Sequence, residues 1–425
     1  MKIKLLSFAI FSLILYTTGP ELLNQLLVSS STNGGLITVK ILLKLNEILG
    51  NSIIDINYRE ENCWSPNPYF HRNHNTKRSC SGGQTPLIAA IISNQPAVAR
   101  LLLDYNASKY IVDLEFERFP IEYAIIYSQK VVDMLLDNED FKNQNYAIKA
   151  LTTAANEGDF LTFGILHELG AVIDHLDNPV VTYSPLIASS YKGHTHIVQY
   201  IIDHGEISLK TAQHALFLAS QQGNTEIVRK ILVNYVNKHQ MDIKLLLEYR
   251  NYVSSGFTEG FTPLISASQS GRDDTVLLLL LYGADVEAHD NKNFTSLHHA
   301  AKESRSSTLK LLVDEGHANI NKVDGEDLRT PIGWSALRGD NESVKFLIRK
   351  GSNIDHKDKY GRTPLSWTTR GGYYETAEII GEMAKPSKTD IEQSLYLAKV
   401  ECWAKPVNCN LTRLALEKML INASK

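Results

Sequence analysis

Cysteine is scarce in this chain of 425 residues: four occur, Cys63, Cys80, Cys402 and Cys409, and no two form a C-x-x-C pair. That spacing excludes a thioredoxin-like redox motif. Other signatures are missing as well: there is no glycine-rich phosphate loop, no nucleophile elbow and no zinc-protease helix. Neither sign of charge dominates. Lys and Arg number 43 against 47 Asp and Glu, a formal net charge of −4, which gives no global attraction to nucleic acid or an anionic membrane. Long hydrophobic runs are absent too. The uncharged stretch from Leu5 to Pro20 is too short for a comfortable membrane span, and the apolar run from Val276 to Tyr282 is shorter still. What remains is an ordinary folding composition, 43% hydrophobic and 21% charged, in a chain long enough for two or three globular domains.

The chain opens MKIKLLSFAIFSLILYTTGPELL. Lys2 and Lys4 make a basic start, an apolar stretch follows, and the small residues Thr17, Thr18 and Gly19 close it. This is the layout of a secretory signal peptide over residues 1–19. The alternative is an apolar first helix that caps a cytoplasmic protein.

Beyond this leader one pattern recurs. It reads QTPLIAAIISNQPAVARLLLDYNA from residue 84, FTPLISASQSGRDDTVLLLLLYGADVEAHD from 261 and RTPIGWSALRGDNESVKFLIRKGSNIDHKD from 329. Fuller or fainter copies begin at Phe119, Lys149, Ser184, His214, Phe294 and Arg362. The second position of each unit falls at 86, 120, 150, 185, 215, 263, 296, 331 and 364, so the spacings are 34, 30, 35, 30, 48, 33, 35 and 33. A period near 33 carrying T-P-L-H-x-A closely resembles the ankyrin repeats, and the resemblance runs from about residue 20 to 385.

Each position has a physical reading. Thr85, Thr262, Thr295, Thr330 and Thr363 stand where a hydroxyl caps a helix N-terminus, and the prolines after four of them sit where no amide donor is lost. Small residues (Ala90, Ala124, Ala154, Ala219, Ala267, Ala300) let neighbouring helices approach. Gly158, Gly193, Gly223, Gly271, Gly339 and Gly372 end the first helix of their units. Gly170, Gly205, Gly283, Gly316 and Gly351 end the second, with Asn106 in the same role. One unit cannot bury both its faces, so units stack. The expected fold is an all-α ankyrin solenoid of about ten helix–turn–helix units. Its parts are an N-terminal capping unit over 20–57, an inserted loop over 58–82, the array over 83–385 and a C-terminal helical cap over 386–425, broken at Pro406. The spacing of 48 marks a further insertion around 236–258.

Candidate site residues follow from this frame. His298 falls on the T-P-L-H histidine, which the resemblance makes a turn brace and not a catalyst, and GHTHIV at 193–198 is the turn into a second helix. Asp285, Glu287, Asp290, Lys292, Asp355, Lys357 and Lys359 lie in the connecting hairpins. They form either a solvated rim or the surface on which ankyrin proteins bind partners. Asn-x-Ser/Thr triplets at Asn106, Asn293, Asn341, Asn410 and Asn422 mark possible glycan acceptors in an exported chain. No catalytic residue, cofactor or resident metal is expected.

The stretch CWSPNPYFHRNHNTKRSC, residues 63–80, stands outside the repeat. So does the pair Cys402 and Cys409. The resemblance places cytosolic cysteines at small core positions, which here hold Ala, Ser or Thr. With an exported N-terminus, disulfides Cys63–Cys80 and Cys402–Cys409 are therefore expected. A zinc site from Cys63, His71, His74 and Cys80 is the rival, although C-x7-H-x2-H-x5-C is no established spacing. The functional expectation is a non-catalytic, exported binding module. It would be monomeric, with a protein partner, no nucleic acid and no membrane span; the alternatives are a cytoplasmic scaffold and an exported effector or toxin acting on host proteins.

Overall fold

The computed structural model describes residues 20–48, 53–59, 83–136, 144–173, 184–239, 243–251, 260–400 and 406–423. The expected signal peptide and most of the inserted loop, with Cys63, Cys80 and Cys402, lie outside them. Among the described residues every regular element is a helix. The β-type pairing is two isolated bridges, Asn251 with Phe261 and His289 with Thr295. The chain divides into two compact units, Met1–Ala188 and Ser189–Lys425.

The first unit holds α1 (residues 20–32), α2 (Leu36–Ile48), α3 (Pro86–Ile92), α4 (Pro96–Asp104), α5 (Pro120–Tyr127), α6 (Gln129–Leu135), α7 (Gln144–Glu157) and α8 (Phe160–Glu168). The division falls inside α9 (Pro185–Lys192). First helices stack on first helices, α3 on α5 and α5 on α7, while the second helices α2, α4 and α6 form a parallel layer. The alternation follows from the small residues: Ala90, Ala124 and Ala154 are wholly buried, and a larger side chain there would push the helices apart.

The second unit continues the alternation through α10 (Thr195–His204), α11 (Leu209–Gln222), α12 (Thr225–His239), α13 (Lys244–Leu247), α14 (Pro263–Ser270), α15 (Asp273–Leu281), α16 (Ser296–Lys302), α17 (Ser306–Asp314), α18 (Pro331–Arg338), α19 (Asn341–Arg349), α20 (Pro364–Gly371) and α21 (Tyr374–Ala384). Helices α11, α14, α16, α18 and α20 stack in one layer, and α12, α15, α17, α19 and α21 in the other. The insertion does not interrupt this. Helix α14 packs directly on α11, and the short α13 folds back against α11 with Leu246 and Leu247 buried.

The expected helix starts hold in part. Thr85, Thr262 and Thr363 accept the amides of Ile88, Ile265 and Ser366 through their hydroxyls. Thr330 does not; its Oγ1 is buried without a hydrogen-bond partner among the described residues. Thr295 instead pairs with His298. Two first helices begin five residues ahead of the motif. With neither threonine nor proline to stop them, α7 and α11 run to 14 residues each, and Ser208 caps α11 by accepting the Thr211 amide at 3.1 Å.

The expected stops also hold in part. All six first-helix glycines adopt positive φ, between 67° and 90°. Two of them show what the missing side chain permits. A Cβ on Gly223 would lie 2.7 Å from Arg272 Cδ, and one on Gly271 would lie 2.8 Å from Arg305 Cδ. Each arginine crosses the glycine below it and donates Nε to a carbonyl near the end of the preceding first helix, Gln221 at 3.3 Å and Gln269 at 3.2 Å. Among the second-helix stops, Gly205 departs with φ −101°. At the Gly316 stop the left-handed residue is His317, φ +54°, so the turn closes one residue later.

Two further helices, α22 (Lys388–Val400) and α23 (Pro406–Ala423), close the array. Pro406 opens α23, the position where a proline costs no hydrogen bond. Helix α22 packs on α20 and α23 on α21, and Ile391, Ala398 and Leu416 join Leu365, Trp367, Ala377 and Ile380 in one buried cluster. The contact also buries polar groups. Ser394 Oγ lies 3.2 Å from Ser366 Oγ, and Asp390, at the start of α22, accepts from Thr363 Oγ1 at 2.5 Å. Asp390 Oδ2 has no partner among the described residues. Burial therefore raises this carboxyl to about 6, against the pull of the Thr363 hydroxyl.

The sign of the pH effect follows. The folded state holds the Asp390 proton more tightly than the unfolded chain, whose value is near 3.8. The stability this confers is complete below pH 3.8 and is lost as pH rises through about 6. Asp390→Asn keeps the acceptor for Thr363 and removes the charge. It should stabilise the cap above pH 6 by about 2–3 kcal/mol, and below pH 4 its effect should vanish. Denaturant melts at pH 4 and pH 8 measure the difference.

Candidate binding surface

Among the described residues the hairpins between repeats form no strands, so their backbone amides need other acceptors. In three successive hairpins of the second unit one aspartate each provides them. Asp290 Oδ1 accepts from the amides of Lys292 and Phe294, both at 2.9 Å. Asp324 Oδ1 accepts from Glu326, Asp327 and Leu328 at 2.9, 2.6 and 3.1 Å. Asp358 Oδ1 accepts from Tyr360 and Arg362 at 2.9 and 3.0 Å.

The second oxygen of each carboxylate reaches into the following first helix. Asp290 Oδ2 is 2.9 Å from His299 Nε2, Asp324 Oδ2 accepts from Trp334 Nε1 at 2.8 Å, and Asp358 Oδ2 accepts from Trp367 Nε1 at 2.8 Å. The three ring donors occupy one register, four residues after the N-cap residues Thr295, Thr330 and Thr363. The first unit repeats the device: Asp113 takes the amides of Glu115, Phe116 and Arg118, and its ring partner is the hydroxyl of Tyr123, four residues after Phe119.

This arrangement separates the expected contact residues. Asp290 is buried, with 5% exposure, and both its oxygens are engaged. Burial opposes its ionisation, but His299 and the two amides outweigh that and hold its carboxyl below the usual value. It braces the turn and presents no charge to a partner. Asp285, Lys292, Asp355, Lys357 and Lys359 are exposed, and Glu287 is half-buried. Several are tied between neighbouring hairpins: Glu287 to Lys322 at 3.0 Å, Lys292 to Glu326 at 3.4 Å and Lys359 to Asp327 at 2.5 Å. Such exposed pairs contribute little stability but fix where the side chains stand. Backbone bonds add to the order, from Gly325 N to Lys292 O and from Lys359 N to Asp327 O, both 2.9 Å. Sequence reasoning passed over Leu328 and Tyr360, which project from two adjacent tips at 47% and 56% exposure.

Beneath the tips runs a column of rings and cations. Lys302 lies over Phe294 and Trp334, and Arg329 lies 4.6 Å from the Trp334 ring centre and 4.1 Å from that of Trp367. Arg329 also meets Asp327 at 2.8 Å and Asp358 at 3.3 Å. Its charge is thus compensated on all sides despite burial.

His298 braces its turn as the resemblance implied. Its Nδ1 accepts from the Thr295 amide at 3.2 Å and its Nε2 donates to the Lys322 carbonyl at 2.9 Å. Burial pushes it down to about 4, so the ring is neutral at physiological pH. His194 stands at the turn into α10. Among the described residues no three His, Cys, Asp or Glu side chains could hold a metal ion, and no helix is long and apolar enough to cross a membrane. The zinc candidates Cys63, His71, His74 and Cys80 lie outside the described residues.

The turn brace is testable. Trp334→Phe keeps the ring and removes the donor to Asp324 Oδ2, leaving a buried carboxylate oxygen unpaired. A loss of about 1–3 kcal/mol is expected, and Asp324→Asn should recover little of it, because the same carboxylate also holds three turn amides. Hydrogen exchange at Glu326, Asp327 and Leu328 should accelerate in both variants.

Comparison with known proteins gives the same architecture. A family model for ankyrin repeats (3 copies) matches residues 24–146, 151–242, 213–290, 236–324 and 297–390. Among similar proteins, Alpha-latrotoxin-Lg1a of Latrodectus geometricus is 30% identical over 135 residues, 30% of this chain and 10% of that protein. The Ankyrin repeat and KH domain-containing protein CBG24701 of Caenorhabditis briggsae is 28% identical over 296 residues, 64% of this chain and 10% of that protein. A Transient receptor potential cation channel subfamily A member 1 homolog of Caenorhabditis elegans is 27% identical over 214 residues, 50% of this chain and 16% of that protein. The matched stretches thus span between a tenth and a sixth of these relatives. With the family model covering most of its length, the chain belongs to the ankyrin-repeat family, whose arrays are protein–protein interaction modules.

Proposed function

We propose that this chain is an exported, non-catalytic binding module that takes a protein partner on the hairpin tips and adjoining first helices of its second unit. The observation that carries this reading is the investment in the tips. Three successive hairpins are held by buried carboxylates, cross-linked to one another, and present Lys292, Leu328, Asp355, Lys357, Lys359 and Tyr360 outward. Aromatic and aliphatic anchors flanked by fixed charges suit recognition of a folded protein surface. The matched proteins carry the names of a toxin, a KH-domain protein and a channel. What they share with this chain is the repeat, so their individual activities do not transfer to it.

Export rests on the leader-like N-terminus and on the cysteine positions. Cys409 lies within α23 and would pair with Cys402, the partner the sequence offers. Cys63–Cys80 would close the inserted loop in the same way.

Partner capture by crosslinking from the native secretion, followed by affinity measurement, tests the binding face. Lys292→Glu, Asp355→Lys and Lys357→Glu together should weaken binding at least tenfold and leave the melting temperature unchanged. Asp290→Lys should instead unfold its repeat. Equal affinity after the three reversals would place the partner elsewhere. N-terminal sequencing of the natural protein, with a non-reducing mass, tests export: a start near residue 20 and four oxidised cysteines are expected, and a retained Met1 with free thiols counts against it.

A further inference from the structure

The five Asn-x-Ser/Thr triplets are equivalent in sequence but not in space. Asn341 is wedged between two repeats. Its Nδ2 donates to Glu375 Oε2 at 3.0 Å, and its Oδ1 accepts from Thr376 Oγ1 at 2.6 Å. Asn293 adopts φ +61° in the hairpin beside Lys292, and its Nδ2 points at the Val323 carbonyl, 3.5 Å away. The next hairpin lies so close that a Cβ on Gly325 would come within 2.9 Å of Asn293 Cβ. Both amides are cross-repeat links, and a sugar on either would have to fit between stacked hairpins or helices.

The other three are different. Asn106 ends α4 in the left-handed conformation, φ +64°, and is exposed. Asn410 and Asn422 are exposed on α23. None of these three side-chain amides makes a hydrogen bond among the described residues. We infer that Asn106, Asn410 and Asn422 are N-glycan acceptors and that Asn293 and Asn341 are not. The inference rests on the export reading above.

The reaction is transfer from a lipid-linked oligosaccharide diphosphate in a eukaryotic secretory compartment. The asparagine Nδ2 bonds to the anomeric carbon, the bond from that carbon to the phosphate oxygen breaks, the lipid diphosphate leaves and Nδ2 loses a proton to the transferase. Transfer precedes folding, so the native structure acts as a filter. A chain carrying sugar at Asn293 or Asn341 cannot close its stack, whereas sugar at the other three leaves every repeat contact intact. The consequence is spatial: Asn293 stands within the proposed binding face, and that face stays bare.

The full chain, expressed in animal cells behind a foreign secretory leader and behind its own, provides the test by glycopeptide mass spectrometry of the secreted, folded protein. Three occupied sites are expected. Asn106→Gln, Asn410→Gln and Asn422→Gln should each remove one glycan, and Asn293→Gln and Asn341→Gln none. A glycan on Asn293 or Asn341, or a bare asparagine at any of the other three behind the foreign leader, overturns the assignment. Should only the foreign leader export the chain, with the expected pattern, the export reading fails and the assignment of acceptors stands.

Discussion

In four of the hairpins a single carboxylate does the work that a strand pair does elsewhere. An ankyrin hairpin turns too tightly for a ladder, and its amides would face one another unpaired. Asp113, Asp290, Asp324 and Asp358 take two or three of those amides with one or both oxygens. Each also receives a ring donor from the next helix, so the tip is fixed to the same helix whose N-terminus the hairpin feeds. Stacking of helices then passes that position on to the neighbouring repeat. Remove the carboxylate and the amides, the ring donor and the register of the tip all lose their partner together, a coupled loss beyond any one hydrogen bond.

The device divides the charges of the second unit into two populations. Asp290, Asp324, Asp358 and Arg329 are buried or nearly so and neutralise one another or the backbone. Lys292, Asp355, Lys357 and Lys359 stay outside. The inner set determines where the tips stand, and the outer set can change without touching it. This is why partner identity must be sought in the outer residues.

Much of the fold was legible because its determinants are local. Thr-Pro starts, small residues at fixed offsets and left-handed glycines recur with a period that local chemistry explains. Some departures came where that punctuation is missing, since α7 and α11 lack Thr-Pro and begin five residues early, and others where it is present: Thr330 caps no amide, Gly205 keeps φ −101° and the left-handed turn after α17 falls on His317. The candidate surface was less legible. Asp290 resembles its exposed neighbours in sequence, and only the meeting with His299, nine residues on, removes it from the surface. A signal was available in the rings Tyr123, His299, Trp334 and Trp367, all four residues after an N-cap. Its meaning depended on seeing the carboxylate across the turn. Leu328 and Tyr360 carried no periodic signal at all.

Asp290 and Asp390 show how little burial alone decides. Both are 5% exposed, yet one carboxyl lies below its ordinary value and the other is raised to about 6. The difference is the donor count. Asp290 meets two amides and an imidazole across its two oxygens. Asp390 meets the Thr363 hydroxyl on one oxygen and, among the described residues, nothing on the other. The hairpin is built to generate unpaired amides and so can satisfy a carboxylate. The cap contact is helix against helix, and there the Asp390 carboxylate finds only a side chain. Within these hairpins, an acid is therefore structural cement; at the cap the same residue type is left with one buried oxygen unpaired among the described residues.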